Sequence, residues 1–188
     1  MTSRRIYHGR LIDLSIETAH LPNGHAVELE IVRHPGGAVA VAIDEDEQVC
    51  LLKQFRYAVN QPALWELPAG CIDDADETPL VTAARELREE AGIVADTWHE
   101  LGSILTSPGF CDERLHLYLA QNLTQVETRQ DTDEIIEIHW IALDEAMAMA
   151  AEGQIVDAKT VSGLFRAHRK LSGMLSPGPT GGQRKAQS

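Results

Sequence analysis

Cysteine is scarce in this sequence, and the few cysteines present do not form a recognisable framework. Three occur, Cys50, Cys71 and Cys111, an odd number at unrelated spacings and without a C-x-x-C pair. Small secreted proteins that depend on disulfides carry even numbers of cysteines at regular spacings. We therefore expect buried or incidental free thiols in a reducing compartment.

Positive charge is also in short supply. The chain has 16 lysines and arginines against 29 aspartates and glutamates, which gives a formal net charge of −13 at pH 7. Phosphate backbones are bound by basic surfaces, so this balance argues against nucleic acid as a partner. It disfavours an anionic membrane for the same reason.

Long hydrophobic runs are absent. No segment approaches the roughly 18 apolar residues of a transmembrane helix, and residues 1–9 lack the apolar stretch of a signal peptide. These absences predict a protein that is neither exported nor inserted into a membrane. We therefore expect a cytoplasmic location.

What the sequence does contain fits one domain with modest appendages, since its 188 residues are 44% hydrophobic and 24% charged. Residues 5–16 and 27–32 alternate as strands do, with Leu21-Pro-Asn-Gly24 as a turn between them. The segment His34-Pro-Gly-Gly37 indicates a boundary. We predict an N-terminal antiparallel β-hairpin subdomain over residues 1–36, a main domain over 37–171 and a disordered, Ser/Gly/Pro-rich tail over 172–188.

The main domain alternates strand-like and helix-like patterns, which predicts an α+β fold with helices on both sides of a mixed sheet. The predicted strands cover residues 38–43, 49–55, 115–120 and 135–143, and the predicted helices run from Asp144, as the cap, to Ala151 and from Thr160 to Leu171.

The best-defined element is a helix predicted from Pro79 to Ala91. Thr78 is a suitable N-cap, Pro79 suits the first helical position, and Gly92 is placed to end the helix in the left-handed conformation. One apolar stripe is predicted to pack on a core, formed by Leu80, Ala83, Ala84, Leu87 and Ala91.

The same helix carries three glutamates, Glu86, Glu89 and Glu90, on a different predicted face. Like charges one turn apart cost roughly 0.2–0.5 kcal/mol per pair, and acids in the last turn face the negative end of the helix dipole. Arg85 and Arg88 offset part of this cost. The cluster is either a solvated acidic surface or a site for Mg²⁺ or Mn²⁺, which prefer carboxylate oxygens. The glycine loop before the helix favours the cation site.

This stretch resembles the Nudix box, G-x5-E-x7-R-E-U-x-E-E-x-G-U with U aliphatic. One departure is that six residues, not five, separate Gly70 from Glu77, which we interpret as a one-residue bulge in the loop. The matching positions are Gly70, Glu77, Arg85, Glu86, Leu87, Glu89, Glu90, Gly92 and Ile93.

The resemblance implies a Nudix fold, with mixed β-sheets sandwiched between helices, and hydrolysis of the pyrophosphate in a nucleoside diphosphate linked to another moiety. It implies Glu86, Glu90 and the backbone carbonyl of Ala69 as ligands of Mg²⁺, with Mn²⁺ as an alternative and more than one ion per site. Glu89 is a third ligand or a base. Arg85 is counted with the catalytic residues.

Three segments resemble the ADP-ribose pyrophosphatase branch of this family: Q-F-R-Y at 54–57, E-L-P-A-G at 66–70 and S-P-G-F-C-D-E at 107–113. In that branch Arg56 meets a substrate phosphate, and the loop from Pro108 to Glu113 lies along the terminal ribose. The resemblance also implies a homodimer that exchanges N-terminal strands and shares the adenosine between subunits. The substrate-binding residues carried over are Arg10, Leu11, Leu29, Glu30, Arg56, Glu66, Gly109 and Glu113.

A second acidic segment, residues 130–134, supplies candidates for the general base. Related enzymes place a carboxylate of this loop over the metals, which makes Asp131, Asp133 and Glu134 candidates, and Glu134 is favoured because it adjoins the next strand. A solvated acidic loop is the alternative. The resulting hypothesis is Mg²⁺-dependent hydrolysis of ADP-ribose to AMP and ribose 5-phosphate. Hydrolysis of another nucleotide sugar such as GDP-mannose, and a non-catalytic nucleotide sensor, stay open.

Overall fold

The computed structural model describes residues 2–72, 76–128 and 135–173. These residues form ten strands, three α-helices and a short 3-10 helix at Tyr57–Val59. In chain order the elements are β1 (Ser3–His8), β2 (Asp13–His20), β3 (Ala26–Arg33), β4 (Gly37–Ala42), β5 (Gln48–Arg56), β6 (Gln61–Glu66), β7 (Ala69–Cys71), α1 (Pro79–Ala91), β8 (Ile93–Leu105), β9 (Arg114–Gln125), β10 (Ile136–Ala142), α2 (Leu143–Ala151) and α3 (Ala158–Leu171).

The N-terminal strands form a sheet of their own, in the antiparallel order β1-β2-β3. The alternating pattern over residues 5–16 is two strands, because Gly9 N–H donates to the Ile12 carbonyl at 2.9 Å and turns the chain. The predicted turn at Leu21–Gly24 is confirmed, with Gly24 N–H donating to the Leu21 carbonyl at 2.9 Å. The hairpin therefore gains a third strand.

This sheet is tied to the loop between β8 and β9. Val32 N–H donates to the Phe110 carbonyl at 2.8 Å, and Asp112 N–H donates back to the Val32 carbonyl at 3.2 Å. Arg33 also pairs with the Asp112 carboxylate at 3.0 Å. The N-terminal sheet thus fixes one side of a loop that carries predicted site residues.

The remaining strands form two sheets, β7-β4-β9-β8 and β10-β5-β6. Strand β4 is parallel to β9 and antiparallel to β7, so the first of these sheets is mixed. Every residue of β4 is buried, because both of its faces are covered. Val39 and Val41 belong to the cluster that includes Leu164 and Ala167 of α3. The alternate residues belong to the cluster of α1, which comprises Ala38, Ala40 and Ala42 of β4 and Ala83, Leu87 and Ala91 of the helix.

The predicted α+β architecture, with a mixed sheet between helices, is therefore confirmed. Alanines on the α1 side of β4 leave room for the helix backbone to approach closely, while valines fill the wider space toward α3. None of the helices in the described ranges is long and apolar enough to cross a bilayer.

Helix α1 has the predicted bounds. The Thr78 hydroxyl accepts a hydrogen bond from Val81 N–H at 3.4 Å, and Gly92 ends the helix with φ of 64°. The predicted apolar stripe is wrong at one position, since Leu80 is 37% exposed. Glu90, assigned to a different face, is only 3% exposed because its carboxylate turns inward to the backbone of β7.

Other boundaries differ from the sequence prediction. Helix α2 begins at Leu143 without a side-chain cap, so Asp144 lies in its first turn and is not its cap. Helix α3 begins at Ala158, where Asp157 accepts from Thr160 N–H at 3.0 Å. Strand β9 continues past Ala120 to Gln125, since its pairing with β8 provides hydrogen bonds that a polar sequence does not reveal.

Strands β6 and β8 were not predicted. Pro62 obscures β6, which tolerates proline because it lies at the edge of its sheet. The proposed bulge after Gly70 includes positions 73–75, which lie outside the described residues, as does the predicted tail from position 174 onward.

Replacing Gly163 with alanine tests how tightly α3 packs on the sheets. An added Cβ would stand 2.6 Å from Leu67 Cδ1 and 3.1 Å from Val41 Cγ2. Overpacking costs about 1–3 kcal/mol, and the helix propensity of alanine returns about 1 kcal/mol. We expect Gly163→Ala to lose about 1 kcal/mol in urea unfolding. Gly109→Ala, with no heavy atom within 4 Å of the added Cβ, is the control. A Gly163→Ala protein as stable as wild type would contradict the close packing.

Candidate active site

The last two turns of α1 lie against β7, and this contact positions two carboxylates. Glu90 Oε2 accepts a hydrogen bond from Ala69 N–H at 2.9 Å. At Gly70, an added Cβ would stand 2.0 Å from Glu86 Oε1, so the Glu86 side chain occupies the space that any other residue would fill. Glycine at position 70 is therefore required for Glu86 to lie where it does.

Arg85 holds the acidic groups around it. Its Nη1 donates to Glu86 Oε1 at 2.7 Å and to Glu89 Oε2 at 3.3 Å, and its Nε donates to Glu77 Oε1 at 3.2 Å. Burial alone would lower the pKa of Arg85, but the hydrogen bond to Glu77 and the charges of Glu86 and Glu77 raise it well above its usual value. Arg85 is therefore a fixed cation that offsets the repulsion among the glutamates.

The three glutamates differ in surroundings. The side chain of Glu89 is 40% exposed, whereas that of Glu86 is 13% exposed and Glu90 is buried. Within residues 2–72, 76–128 and 135–173, no three His, Cys, Asp or Glu side chains stand in an arrangement ready to hold a metal ion. A cation at this site would compete with Arg85 for Glu86.

A cavity of about 800 Å³ opens in front of this contact, a size typical of small-molecule sites. It brings together groups of opposite charge, the two glutamates of α1 on one side and two cations, Arg56 and Lys159, on another. Its lining includes Gly36, Gly37, Arg56, Val59, Ala69, Gly70, Cys71, Glu86, Glu90, Thr106, Ser107, Glu113, Leu115, Asp157, Ala158 and Lys159.

Glu66 is the buried partner of both cations, with 2% of its surface exposed. Arg56 donates to both of its oxygens, through Nε at 2.7 Å and Nη2 at 2.9 Å, and Lys159 pairs with Oε2. Burial would raise the pKa of Glu66, but the hydrogen bond from Arg56 and the charge of Lys159 outweigh burial and lower it. Glu66 is therefore a carboxylate that orients the Arg56 guanidinium.

The loop after β8 contributes a further carboxylate to the cavity. Glu113 lines it and accepts a hydrogen bond from the Thr106 hydroxyl at 2.6 Å. Gly109, in the same loop, is exposed, and a Cβ added there would have no heavy atom within 4 Å outside its chain neighbours. The structure therefore brings Glu113 to the glutamates of α1 but leaves Gly109 at the surface.

The predicted residues of the N-terminal sheet lie elsewhere. Arg10 and Leu11 line a second cavity of about 670 Å³, which shares Cys71 with the first. Leu29 and Glu30 are exposed on β3. The favoured base Glu134, with its alternatives Asp131 and Asp133, lies outside the described residues.

Sequence reasoning missed Lys159 and Asp157. One signal was available, because a lysine in the first turn of a helix opposes the helix dipole and needs another reason to be there. The cysteines are free, as expected. Burial, with the charge of Glu90 nearby, raises the pKa of Cys50 to about 12, so its thiol stays neutral.

Residues 33–163 match the family described as the NUDIX domain. The match spans well over half of the chain, which therefore belongs to the Nudix family, and the resemblance carried by the motif is confirmed. The chain is a Nudix pyrophosphohydrolase similar to the ADP-ribose pyrophosphatase branch.

Curated relatives match most of the chain. An ADP-ribose pyrophosphatase of Bacillus subtilis (strain 168) is 36% identical over 162 residues, 85% of this chain and 86% of the relative. An ADP-ribose pyrophosphatase of Mycobacterium tuberculosis (strain ATCC 25618 / H37Rv) is 35% identical over 181 residues, 95% and 87% of the two chains. A methanol dehydrogenase activator of Bacillus methanolicus is 38% identical over 161 residues, 85% and 86%.

A solved structure supports the fold. The crystal structure of an ADP compounds hydrolase superposes with a TM-score of 0.79 at 21% identity, covering 92% of this chain and 93% of that chain. The predicted Nudix fold is therefore confirmed.

The depressed pKa of Glu66 predicts a pH-dependent contribution to stability. A carboxylate with a lowered folded-state pKa stabilises the fold above its unfolded pKa, near 4.3, and this contribution is lost as the pH falls through the folded value. We expect Glu66→Gln to be roughly 3 kcal/mol less stable than wild type at pH 6, because the buried carboxylate that pairs with Arg56 and with the mostly buried Lys159 loses its charge. In urea unfolding, the difference should shrink as the pH approaches 3.

A control for this measurement is Glu137→Gln. The Glu137 side chain is 70% exposed and pairs with the imidazole of His139, so its replacement should change stability little at any pH. A Glu66→Gln difference that stayed constant from pH 6 to pH 3 would contradict a charged, ion-paired Glu66.

Proposed function

We propose that this protein hydrolyses the pyrophosphate bond of ADP-ribose to AMP and ribose 5-phosphate and that it needs a divalent cation, Mg²⁺ or in its place Mn²⁺. The observation that carries the proposal is one cavity that is lined both by Glu86 and Glu90 and by Arg56 and Lys159. A pyrophosphate ester needs both kinds of group, carboxylates for a cation and positive charge for its own oxygens. The names of the Bacillus subtilis and Mycobacterium tuberculosis relatives support ADP-ribose as the substrate.

The donor set fits a hard cation. Glu86, Glu90 and the Ala69 carbonyl supply oxygens only, and the Glu86 carboxylate lies against Gly70 on the lining of the cavity. Glu89 is a further ligand on the more exposed side, so that more than one ion can be held. When bound, such a cation neutralises charge on the phosphate oxygens and lowers the pKa of a coordinated water.

The chain's own residues do the rest of the work. Arg56 donates N–H groups to a substrate phosphate, and Glu66 holds the guanidinium in place through its Nε and Nη2 edge. Glu113 accepts hydrogen bonds from hydroxyls of the terminal ribose. Arg85 is a positioning residue that orients Glu86 and Glu89. Glu134, with Glu89 as the alternative, is the base that takes the proton of the attacking water.

We also propose a homodimer in which the N-terminal sheet, residues 1–36, completes the adenosine site of the other subunit. Large apolar side chains are exposed on this sheet, among them Tyr7 at 56% and Leu11 at 52%. The adenosine would then be contacted from across the interface by Arg10, Leu11, Leu29 and Glu30.

A cytoplasmic location fits the three free cysteines.

Two other functions compete with this one. The residues proposed to contact the adenosine do not exclude GDP-mannose, which has the same pyrophosphate group to bind in the same cavity. A nucleotide sensor is disfavoured, because the chain retains Glu86, Glu89 and Glu90. The relative named methanol dehydrogenase activator is as similar in sequence to this chain as the two ADP-ribose pyrophosphatases are. The substrate therefore has to be determined directly.

The proposal predicts the products of one incubation. With Mg²⁺ present, the protein should release AMP and ribose 5-phosphate from ADP-ribose faster than it cleaves GDP-mannose or a dinucleoside polyphosphate, as measured by chromatography of the nucleotides. EDTA should abolish the reaction. A clear preference for GDP-mannose would contradict the substrate assignment.

Glu90→Gln is the matched site variant for this assay. The amide oxygen can still accept from Ala69 N–H, so the fold should be retained, while the lost charge should reduce kcat by about 100-fold or more. Glu145→Gln, at an exposed position of α2, should leave turnover unchanged. Unchanged activity in Glu90→Gln would refute its role at the cation site.

A further inference from the structure

Lys159 occupies a position that a helix does not favour. It lies in the first turn of α3, where the dipole disfavours positive charge, yet its side chain is only 13% exposed. Its ammonium group pairs with Glu66 and, at 3.0 Å, with Asp157. These two ion pairs compensate for the unfavourable helix dipole. The lysine also lines the cavity of the candidate active site.

Glu66 is shared between two cations. Arg56 binds both of its oxygens with the Nε and Nη2 edge, and Lys159 pairs with the oxygen that Nη2 also contacts. Together with Asp157, which pairs with the lysine at 3.0 Å, these groups carry two positive and two negative charges. Without the lysine, Arg56, Glu66 and Asp157 would carry one net negative charge, next to Glu86 and Glu90 of the same cavity.

The lysine is held in place by a buried link between α3 and the segment after β6. Thr160, fully buried, accepts from Leu67 N–H at 2.9 Å through its hydroxyl and donates to Asp157 Oδ2 at 2.6 Å. Leu67 directly follows Glu66. These buried hydrogen bonds fix the distance between the start of α3 and Glu66. The backbone of Lys159 is therefore held in one place relative to Glu66.

We propose that Lys159 is a positioning residue that neutralises Glu66, so that the charge of Arg56 is available to the pyrophosphate of the substrate. This inference rests on the proposed function, in which Arg56 meets a phosphate. A group of charges that sums to zero attracts an anion more than one that carries a net negative charge. Lys159 thus acts on substrate binding through Glu66.

The first test compares Lys159→Met with Lys159→Arg. The methionine keeps the apolar stem and removes the charge, and we expect KM for ADP-ribose to rise about tenfold while kcat changes by less than about threefold. The arginine should restore most of the binding. Lys170→Met, the same change in the last turn of the same helix, is the control and should leave both constants unchanged.

Binding is measured separately from turnover, by calorimetry of ADP-ribose with EDTA present. The affinity of Lys159→Met should fall by about the same factor as KM rises. If wild type does not cleave ADP-ribose, the proposed function fails, whereas the binding comparison still decides the role of the lysine. Equal affinities of Lys159→Met and Lys170→Met, even with a lower melting temperature for the former, would show a structural role alone and overturn the proposal.

A double-mutant cycle with Glu66→Gln separates positioning from direct contact. If Lys159 acts through the Glu66 charge, adding Lys159→Met to Glu66→Gln should weaken ADP-ribose binding by less than about twofold. The full tenfold loss in both backgrounds would mean that the lysine touches the phosphate itself, and the positioning role would be refuted. Should Glu66→Gln not fold, the comparison of methionine with arginine at position 159 decides alone.

Discussion

The contact between helix α1 and strand β7 is the constraint on which the rest of the structure depends. Two carboxylates of the helix reach this short strand, one accepting from the Ala69 backbone and one lying in the space that Gly70 leaves open. The contact requires alanines on the α1 side of β4, because larger residues would push the helix away from the sheet. The repulsion among the glutamates destabilises helix α1 locally, and the packing of the helix on β4 compensates for it.

Charge is arranged around this contact in two opposed groups. Glu86, Glu89 and Glu90 lie on the side of α1, where Arg85 offsets part of their charge. Burial alone would lower the pKa of Arg85, but it is raised by the hydrogen bond to Glu77, by the charges of Glu86 and Glu77 and by the hydrogen bond to Glu89. On the other side the buried Glu66 keeps Arg56 and Lys159 together. A chain with a net charge of −13 therefore presents a local pair of cations to an anionic substrate.

Elements with local signals could be predicted from the sequence. The bounds of α1 follow from Thr78, Pro79 and Gly92, which are its own neighbours, and the Nudix motif places the glutamates on it. The burial of Glu90 could not be predicted from apolar periodicity. It depends on a hydrogen bond from Ala69 N–H, on a strand 21 residues earlier in the chain. The pairing of Lys159 with Glu66 spans 93 residues and was missed for the same reason. Strand β8 was not predicted, because polar residues interrupt its apolar pattern and because its stability comes from pairing with β9.

The proposed cation site depends on Gly70, which permits Glu86 to lie where we place the divalent cation, and a Mn²⁺ titration followed by EPR tests this most directly. In Gly70→Ala, the three atoms nearest the new Cβ all belong to the Glu86 side chain, so the protein should stay folded while the carboxylate is displaced. We predict that Gly70→Ala binds Mn²⁺ at least about tenfold more weakly than wild type, at a similar melting temperature. Equal Mn²⁺ affinity in the two folded proteins would contradict it.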